Sequence, residues 1–450
     1  MQDKKSFLGT EPVGKLLFRL AVPTVTAQIV NMLYNIVDRI FIGHIPQKGT
    51  LALSGVGVCF PVVILIMAFS NLIGMGGAPR IAMRLGKNDE EGAEEILGTC
   101  LKALVLLSLG LIPLFLLLAR PMLYFFGASG DTMPYALSYL KIYLLGTPAA
   151  MIALGANCFI TTQVFTRVSM MTVMIGALAN ILLDPIFIFV FRLGTPGAAL
   201  ATVLSQIISA LWVLRFLTGP STQIRVKRKN LKLKRSILQQ VLGLGLAPFT
   251  MTGTESLLNI AFNASLQKYG GDLAVSTMTV LASSMHMIVL PLMGLGQGAQ
   301  PIISYNLGAK NWSRVKKAMR LTVISTTTCS TTAWGIVMLF PMLIPSIFSK
   351  DPELIQSASW AIRIYLGGVL AVGIQEGCQQ SFLALGEAKT SLFLAFLRKL
   401  FLLIPLIFLL PQLLSAKVFA VFLAEPLADL TAVCVTFTLF CLKYRKIGTD

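Results

Sequence analysis

Asp184 stands in the middle of the apolar run NILLDPIFIF, residues 180–189, with Pro185 directly after it and Asn180 one helical turn before it. A charged side chain at membrane depth costs roughly 2.5–3.5 kcal/mol on the insertion scale, so a carboxylate in such a run calls for a use. On a helix Asn180 and Asp184 share one face, being four residues apart. Pro185 removes a backbone donor and releases the carbonyl of residue 181, an extra oxygen near the carboxylate if the helix kinks there. A second polar face lies near the amino terminus, where Asn31, Asn35 and Asp38 recur at helical spacing and Tyr34 stands one turn before Asp38. Further on, Ala198 and Thr202 are one turn apart, and Thr202 offers both a hydroxyl and a carbonyl. These groups are nearly all oxygen donors, the chemistry that suits a hard cation. Each amide or hydroxyl taken alone also fits polar glue between membrane helices, worth about 0.6–2 kcal/mol.

The second half carries its own set. Glu255, Asn259 and Asn263 are spaced along one helical face. His286 follows, then Glu376 among Gln375, Gln379 and Gln380, then Glu425 and Asp429 four residues apart. Arg398 and Lys399 sit inside another apolar run. Intramembrane charges face the protein interior or a wet cavity and pair with one another. The spacing leaves two readings open: Arg398 neutralises one of these acids structurally, or the acids meet a substrate. Glu255, Glu376 and His286 are candidates for a cationic substrate or a second cation. His286 titrates in the neutral range when unperturbed, but a satisfied core histidine is the simpler reading. Tyr135, Tyr139 and Tyr143 form a stripe, of which Tyr139 is the candidate for lining a central cavity.

The elements that must carry these residues are membrane spans. The 450-residue chain is 55% apolar and only 12% charged, against about 25% charged in soluble domains. Apolar runs near the roughly 20 residues needed to cross a bilayer recur throughout. They predict spans at 16–43, 52–78, 96–118, 135–157, 163–191, 196–217, 239–265, 273–300, 315–342, 357–384, 390–414 and 417–442. The fold expected is an all-α polytopic membrane protein of about twelve helices in two six-helix lobes. No signal peptide precedes the first span, and the seven cysteines lack metal-ligand spacing and read as small buried side chains. Lys and Arg concentrate in the termini and even-numbered connections, which predicts that both termini are cytoplasmic. The net charge of +18 follows from this distribution and not from a nucleic-acid surface.

The chain divides as 1–217, an amino-terminal lobe; 218–238, a basic linker with seven Lys/Arg between 225 and 235; and 239–450, a carboxy-terminal lobe. The linker reads as a solvated cytoplasmic tether that also meets anionic headgroups. IGMGGAPRIAMRLGKND at 73–89 matches LGQGAQPIISYNLGAKN at 295–311 with an offset of 222, which places Gly74 on Gly296, Gly76 on Gly298 and Pro79 on Pro301. Both copies follow the same number of spans in the same direction, so they are parallel repeats, the plan of alternating-access transporters. The four glycines read as points of close helix approach.

The stretch NILLDPIFIFVFRLGTPGAALAT, 180–202, resembles the signature of multidrug and toxic compound extrusion transporters, with Asp-Pro, an apolar run, then Gly-Ala-Ala and Ala-Thr. VDRIFIGH at 37–44 and the repeated Gly-rich segment agree with it. The resemblance implies two six-helix bundles and export of varied, often cationic organic compounds, coupled to inward Na⁺ or H⁺. It points to the bacterial branches with an acidic residue in span one, in the cytoplasmic membrane. It also implies that Asp38, Asn180, Asp184 and Thr202, with Asn35 and Ala198 nearby, form one cation site, where two close carboxylates share a proton or Na⁺. No cofactor beyond the coupling ion is expected, no nucleic-acid partner, and a monomer. Two rivals remain. A lipid-linked oligosaccharide flippase needs a strongly cationic cavity, and the intramembrane charges here are mainly acidic. A membrane enzyme needs a catalytic constellation, and neither G-x-S-x-G nor H-E-x-x-H occurs.

Overall fold

The computed structural model describes residues 3–45, 49–348 and 351–448, and all regular structure among them is helical. Nine helices there are long and apolar enough to cross a bilayer, and Met133–Leu145 with Thr147–Thr162 form a further crossing bent by 61°. Two more runs complete the predicted set. Trp312–Leu339 carries the Ser/Thr-rich stretch STTTCSTT, which lowers its hydropathy without breaking the helix, because the hydroxyls bond back to carbonyls one turn earlier, as Thr331 does to Thr327. The seventh crossing is divided between Arg235–Gly253 and the first part of Glu255–Gly308, which itself breaks at Gly271, where φ is +62°. Several helices run past the predicted apolar limits. Gly49–Gly86 continues eight residues beyond the expected 78, and Glu90–Phe125 begins ahead of the expected 96, with the Asp89 carboxylate accepting from Gly92 N at 2.9 Å as an N-cap.

The helices form two compact units, residues 26–252 and residues 1–25 with 253–450. These limits differ from the expected division at 217 and 239. They fall inside predicted spans, and the repeated glycines supply the reason. At Gly76 an added Cβ would strike the carbonyl of Val241, so the helix Arg235–Gly253 lies backbone to backbone on the first copy of the repeat. At Gly298 it would meet the Ala21 backbone at 2.6 Å, so the start of Val13–Gly43 lies on the second copy. Thr24 Oγ1 donates to Gly294 O at 2.6 Å in the same contact. Each unit therefore takes one segment from beyond the expected boundary. The expectation that these glycines mark close approach agrees with these contacts; Gly74 likewise meets Gly155.

The linker is not a solvated tether. Gln163 Oε1 accepts from Thr222 Oγ1 at 2.7 Å and from the backbone N–H of Gln223 and of Ile224 at 3.0 Å each. Ile224 is fully buried. Beyond it, Lys227, Lys229 and Lys234 pair with Glu94, Glu91 and Glu95 at 2.7, 3.4 and 2.6 Å. Thr99 Oγ1 donates to Lys232 O at 3.0 Å, and Gly98 leaves room for the Asn230 carbonyl. The acidic start of Glu90–Phe125, EEGAEE, thus receives the basic linker residue by residue. Basic composition in the linker serves docking.

Gly245 and Gly243 test the close approach. A Cβ on Gly245 would overlap the Leu72 carbonyl, whereas nothing lies within 4 Å of one on Gly243. Gly245→Ala is expected to lose about 1–3 kcal/mol, seen as a lower melting temperature in detergent, while Gly243→Ala is neutral or better. Gln163→Ala is expected to raise the rate of tryptic cleavage between 225 and 235 by about tenfold, since each lost hydrogen bond is worth about 1 kcal/mol net. Unchanged cleavage in the folded variant would return the linker to a free tether.

Candidate functional site

In the unit 26–252, Asp184 and Asn180 are withdrawn entirely from the surface, at 0% and 1% exposure. Both lie on Thr166–Pro185, which passes after Pro185 into a wider π-helical turn, Ile186–Val190. The chain then reverses through Arg192 and Gly194, both at positive φ, with Gly194 at φ +60° and ψ −132°, a conformation open in practice to glycine alone. Pro196 starts the next helix, Thr195–Thr218, and Gly197 admits the Phe187 backbone against it. This hairpin is what sets Thr202 opposite Asp184's helix.

Asn180 Nδ2 donates to Asp184 Oδ1 at 3.3 Å. The carboxyl of Asp38, half-buried on Val13–Gly43, lies within hydrogen-bonding reach of that of Asp184. Thr202 Oγ1 donates to Ala198 O at 3.0 Å and itself lies in hydrogen-bonding reach of the Tyr139 phenol. Tyr139 and Tyr143 stack with centroids 6.1 Å apart, and Tyr143 reaches Gln206. Three oxygens are buried with no donor: Asp38 Oδ1, Asn180 Oδ1 and Asp184 Oδ2. Two facing carboxyls with orphaned oxygens are electrostatically incomplete in a site shut off from water. A shared proton or a Na⁺ ion would complete them. Among the described residues no three His, Cys, Asp or Glu side chains converge as a metal-binding group.

The structure brings together Asp38, Asn180 and Asp184, and Thr202 with Ala198 is linked to them through Tyr139, which lies beside both Thr202 and Asp38. The Ala198 carbonyl is already taken by Thr202. Asn35 turns onto its own helix, donating to Asn31 O at 2.6 Å. Tyr139, the candidate for lining a central cavity, is buried in this unit beside Thr202. Tyr143 and Gln206 join Tyr139 and Thr202, and the signal for them is spacing, since Tyr139/Tyr143 and Thr202/Gln206 are each one helical turn apart.

The other unit contains an ionic cluster. Arg398 and Lys399 lie in the π-helical segment Leu397–Leu403. Arg398 bridges two carboxylates, its Nε 2.5 Å from Asp429 Oδ1 and its guanidinium 3.1 Å from Glu425 Oε1. Lys399 is ion-paired with Glu255. Of the two readings left open, this is the pairing one for Arg398. Glu376 Oε1 accepts from Gln380 Nε2 at 2.7 Å. His286 is solvent- or lipid-exposed, contrary to a core histidine, and stands close enough to Glu255 to feel its charge. The sequence candidates Glu255, Glu376 and His286 thus share one region, with Glu255 already neutralised by a lysine.

These features define a polytopic membrane protein of duplicated helical plan with ionisable groups inside each half. The chain belongs to the MatE family, whose profile matches residues 23–186 and again 249–409. It is 24% identical over 442 residues to the multidrug export protein MepA of Staphylococcus haemolyticus, covering 98% of this chain and 97% of that one. It is 25% identical over 448 residues, with the same coverage, to MepA of Staphylococcus aureus. A solved outward-facing multidrug resistance MATE transporter of the MOP superfamily superposes with a TM-score of 0.93 at 22% identity over 99% of each chain. That likeness establishes the fold of twelve helices in two lobes.

Removing Arg398 leaves Glu425 and Asp429 buried and unpaired. Arg398→Met is expected to cost about 3–5 kcal/mol and to deplete folded protein on size-exclusion chromatography. Adding Glu425→Gln and Asp429→Asn is expected to restore most of it. Failure of that rescue would show that the guanidinium does more than neutralise the pair.

Proposed function

We propose that this chain is a cation-coupled antiporter that exports structurally varied, often cationic organic compounds across a bacterial cytoplasmic membrane. Both termini lie on the cytoplasmic side, following the distribution of Lys and Arg. The observation that carries the coupling is the Asp38–Asp184 pair with its three donorless oxygens. Entry of a proton or Na⁺ removes the repulsion between the carboxyls and changes the net charge of the site, so ion occupancy selects between conformations of different polarity. Asn180 orients Asp184, and Thr202 and Tyr139 add hydroxyl oxygens at the rim. Export of drugs is the activity for which the MepA relatives are named. In the other unit the cluster of Glu255, Lys399, Arg398, Glu425 and Asp429 serves first to hold helices together, with Glu255, Glu376 and His286 open to a substrate cation.

The protein is not an enzyme in this reading, works as a monomer and needs no cofactor besides its coupling ion. A flippase for lipid-linked sugars is disfavoured because Arg398 and Lys399 are both engaged by carboxylates and do not present free positive charge to a pyrophosphate.

The test is efflux of a fluorescent organic cation from proteoliposomes, driven by a Na⁺ gradient or a pH gradient at fixed membrane potential. One gradient is expected to drive wild-type efflux, and Asp184→Asn to reduce it at least tenfold with folded protein retained. Normal efflux by Asp184→Asn would remove that carboxylate from coupling. Movement of lipid-linked substrate without either gradient would favour the flippase.

A further inference from the structure

A second polar feature of the unit 26–252 lies away from the carboxyl pair, at the helix ends beside the docked linker. Two adjoining cavities, of about 330 and 230 Å³, open among the ends of Gly49–Gly86, Glu90–Phe125 and Arg235–Gly253. The smaller is lined by Arg80, Arg84, Lys87, Gln240, Met83 and Ile96, three cations and no acid. The larger shares Arg80 and Arg84 and adds Asp89, Glu91 and Glu95, each of which already has a partner. Asp89 caps Gly92 N and pairs with Arg84 at 2.6 Å, contacts that hold its carboxyl below the usual carboxylate range. Glu91 and Glu95 are bound by Lys229 and Lys234 of the linker. Arg84 is matched by Asp89, but Arg80 and Lys87 are not matched in return. Arg80 Nε is buried with no hydrogen-bond acceptor, and among the described residues neither Arg80 nor Lys87 makes an ion pair.

We infer that this cleft binds a phosphate-bearing anion, supplied by the headgroup of an acidic phospholipid or by free phosphate. A guanidinium with an orphaned donor matches phosphate oxygens in charge and geometry. The amino-terminal turn of Arg235–Gly253 contributes Ser236 to the wall and adds the positive end of a helix dipole. Met83, Ile96 and the nearby Val241 give the cleft an apolar side that a glycerol backbone and the start of an acyl chain would cover. Basic pockets between membrane helices at the cytoplasmic surface are suited to such headgroups. The inference takes its leaflet from the orientation proposed above. Occupancy would join the end of Gly49–Gly86 to Arg235–Gly253, the two helices already in contact at Gly76.

The test is calorimetric titration of the purified full-length protein in detergent with short-chain phosphatidylglycerol, short-chain phosphatidylcholine and sodium phosphate. Saturable binding of phosphatidylglycerol is expected, weakened at least tenfold in Arg80→Gln/Lys87→Gln, with phosphatidylcholine weaker by a similar factor. Phosphate binding as tightly as the lipid would identify the free anion as the ligand, and much weaker phosphate binding would identify the lipid. Equal binding of phosphatidylcholine, no saturable binding of either anion, or full binding by a variant that elutes as wild type would overturn the inference. Orientation is read separately. Lys87→Cys labelled above the wild-type background by an impermeant maleimide added outside intact cells would reverse the orientation while leaving the binding result intact.

Discussion

A carboxylate held in a membrane interior must find a positive partner among its neighbours, because lipid offers none. The two units meet this constraint in opposite ways. In residues 253–450 three of the acids are answered by fixed bases, with Arg398 spanning Glu425 and Asp429 and Lys399 on Glu255. In residues 26–252 Asp38 and Asp184 face each other with an amide as support and, among the described residues, no ion pair to a base. A fixed pair is static. In the coupling proposed above, a pair of acids with donorless oxygens borrows its positive charge, and whatever lends it becomes part of the conformational equilibrium. The asymmetry between the two repeats is what that proposal rests on.

The scaffold depends on close backbone contact as much as on polar pairing. Helices in lipid gain little from burying one apolar side chain against another, so small residues that let backbones approach take over. Gly76 and Gly298 are such points, and each admits a helix from across the expected boundary. This is why the unit limits fall within helices at 25 and 252 and not in the polar connection. Pro185 with its π-helical turn, and the π-helical segment bearing Arg398 and Lys399, are the local departures that turn polar groups inward.

The basic connection illustrates how one composition carries several loads. Its lysines satisfy the topology signal and also neutralise Glu91, Glu94 and Glu95, while its first residues hang on a single buried amide oxygen, that of Gln163. Docking the linker uses up those acids and leaves Arg80 and Lys87 as excess positive charge beside a cleft.

Apolar length, repeat and spacing were enough to determine the all-helical polytopic fold, the duplication, and the shared faces of Asn180 with Asp184 and of Tyr139 with Tyr143. Those properties are periodic and local, and a helix converts them directly into geometry. Which faces meet is not local. That Tyr139 stands beside Thr202, that His286 is exposed, that Lys399 takes Glu255 while Arg398 spans Glu425 and Asp429, and that residues 1–25 join the second half were decided only by tertiary packing. The reason is physical: helix spacing fixes a direction around one axis, whereas a partner is chosen by how closely two axes can approach and by which charges are left unsatisfied when they do.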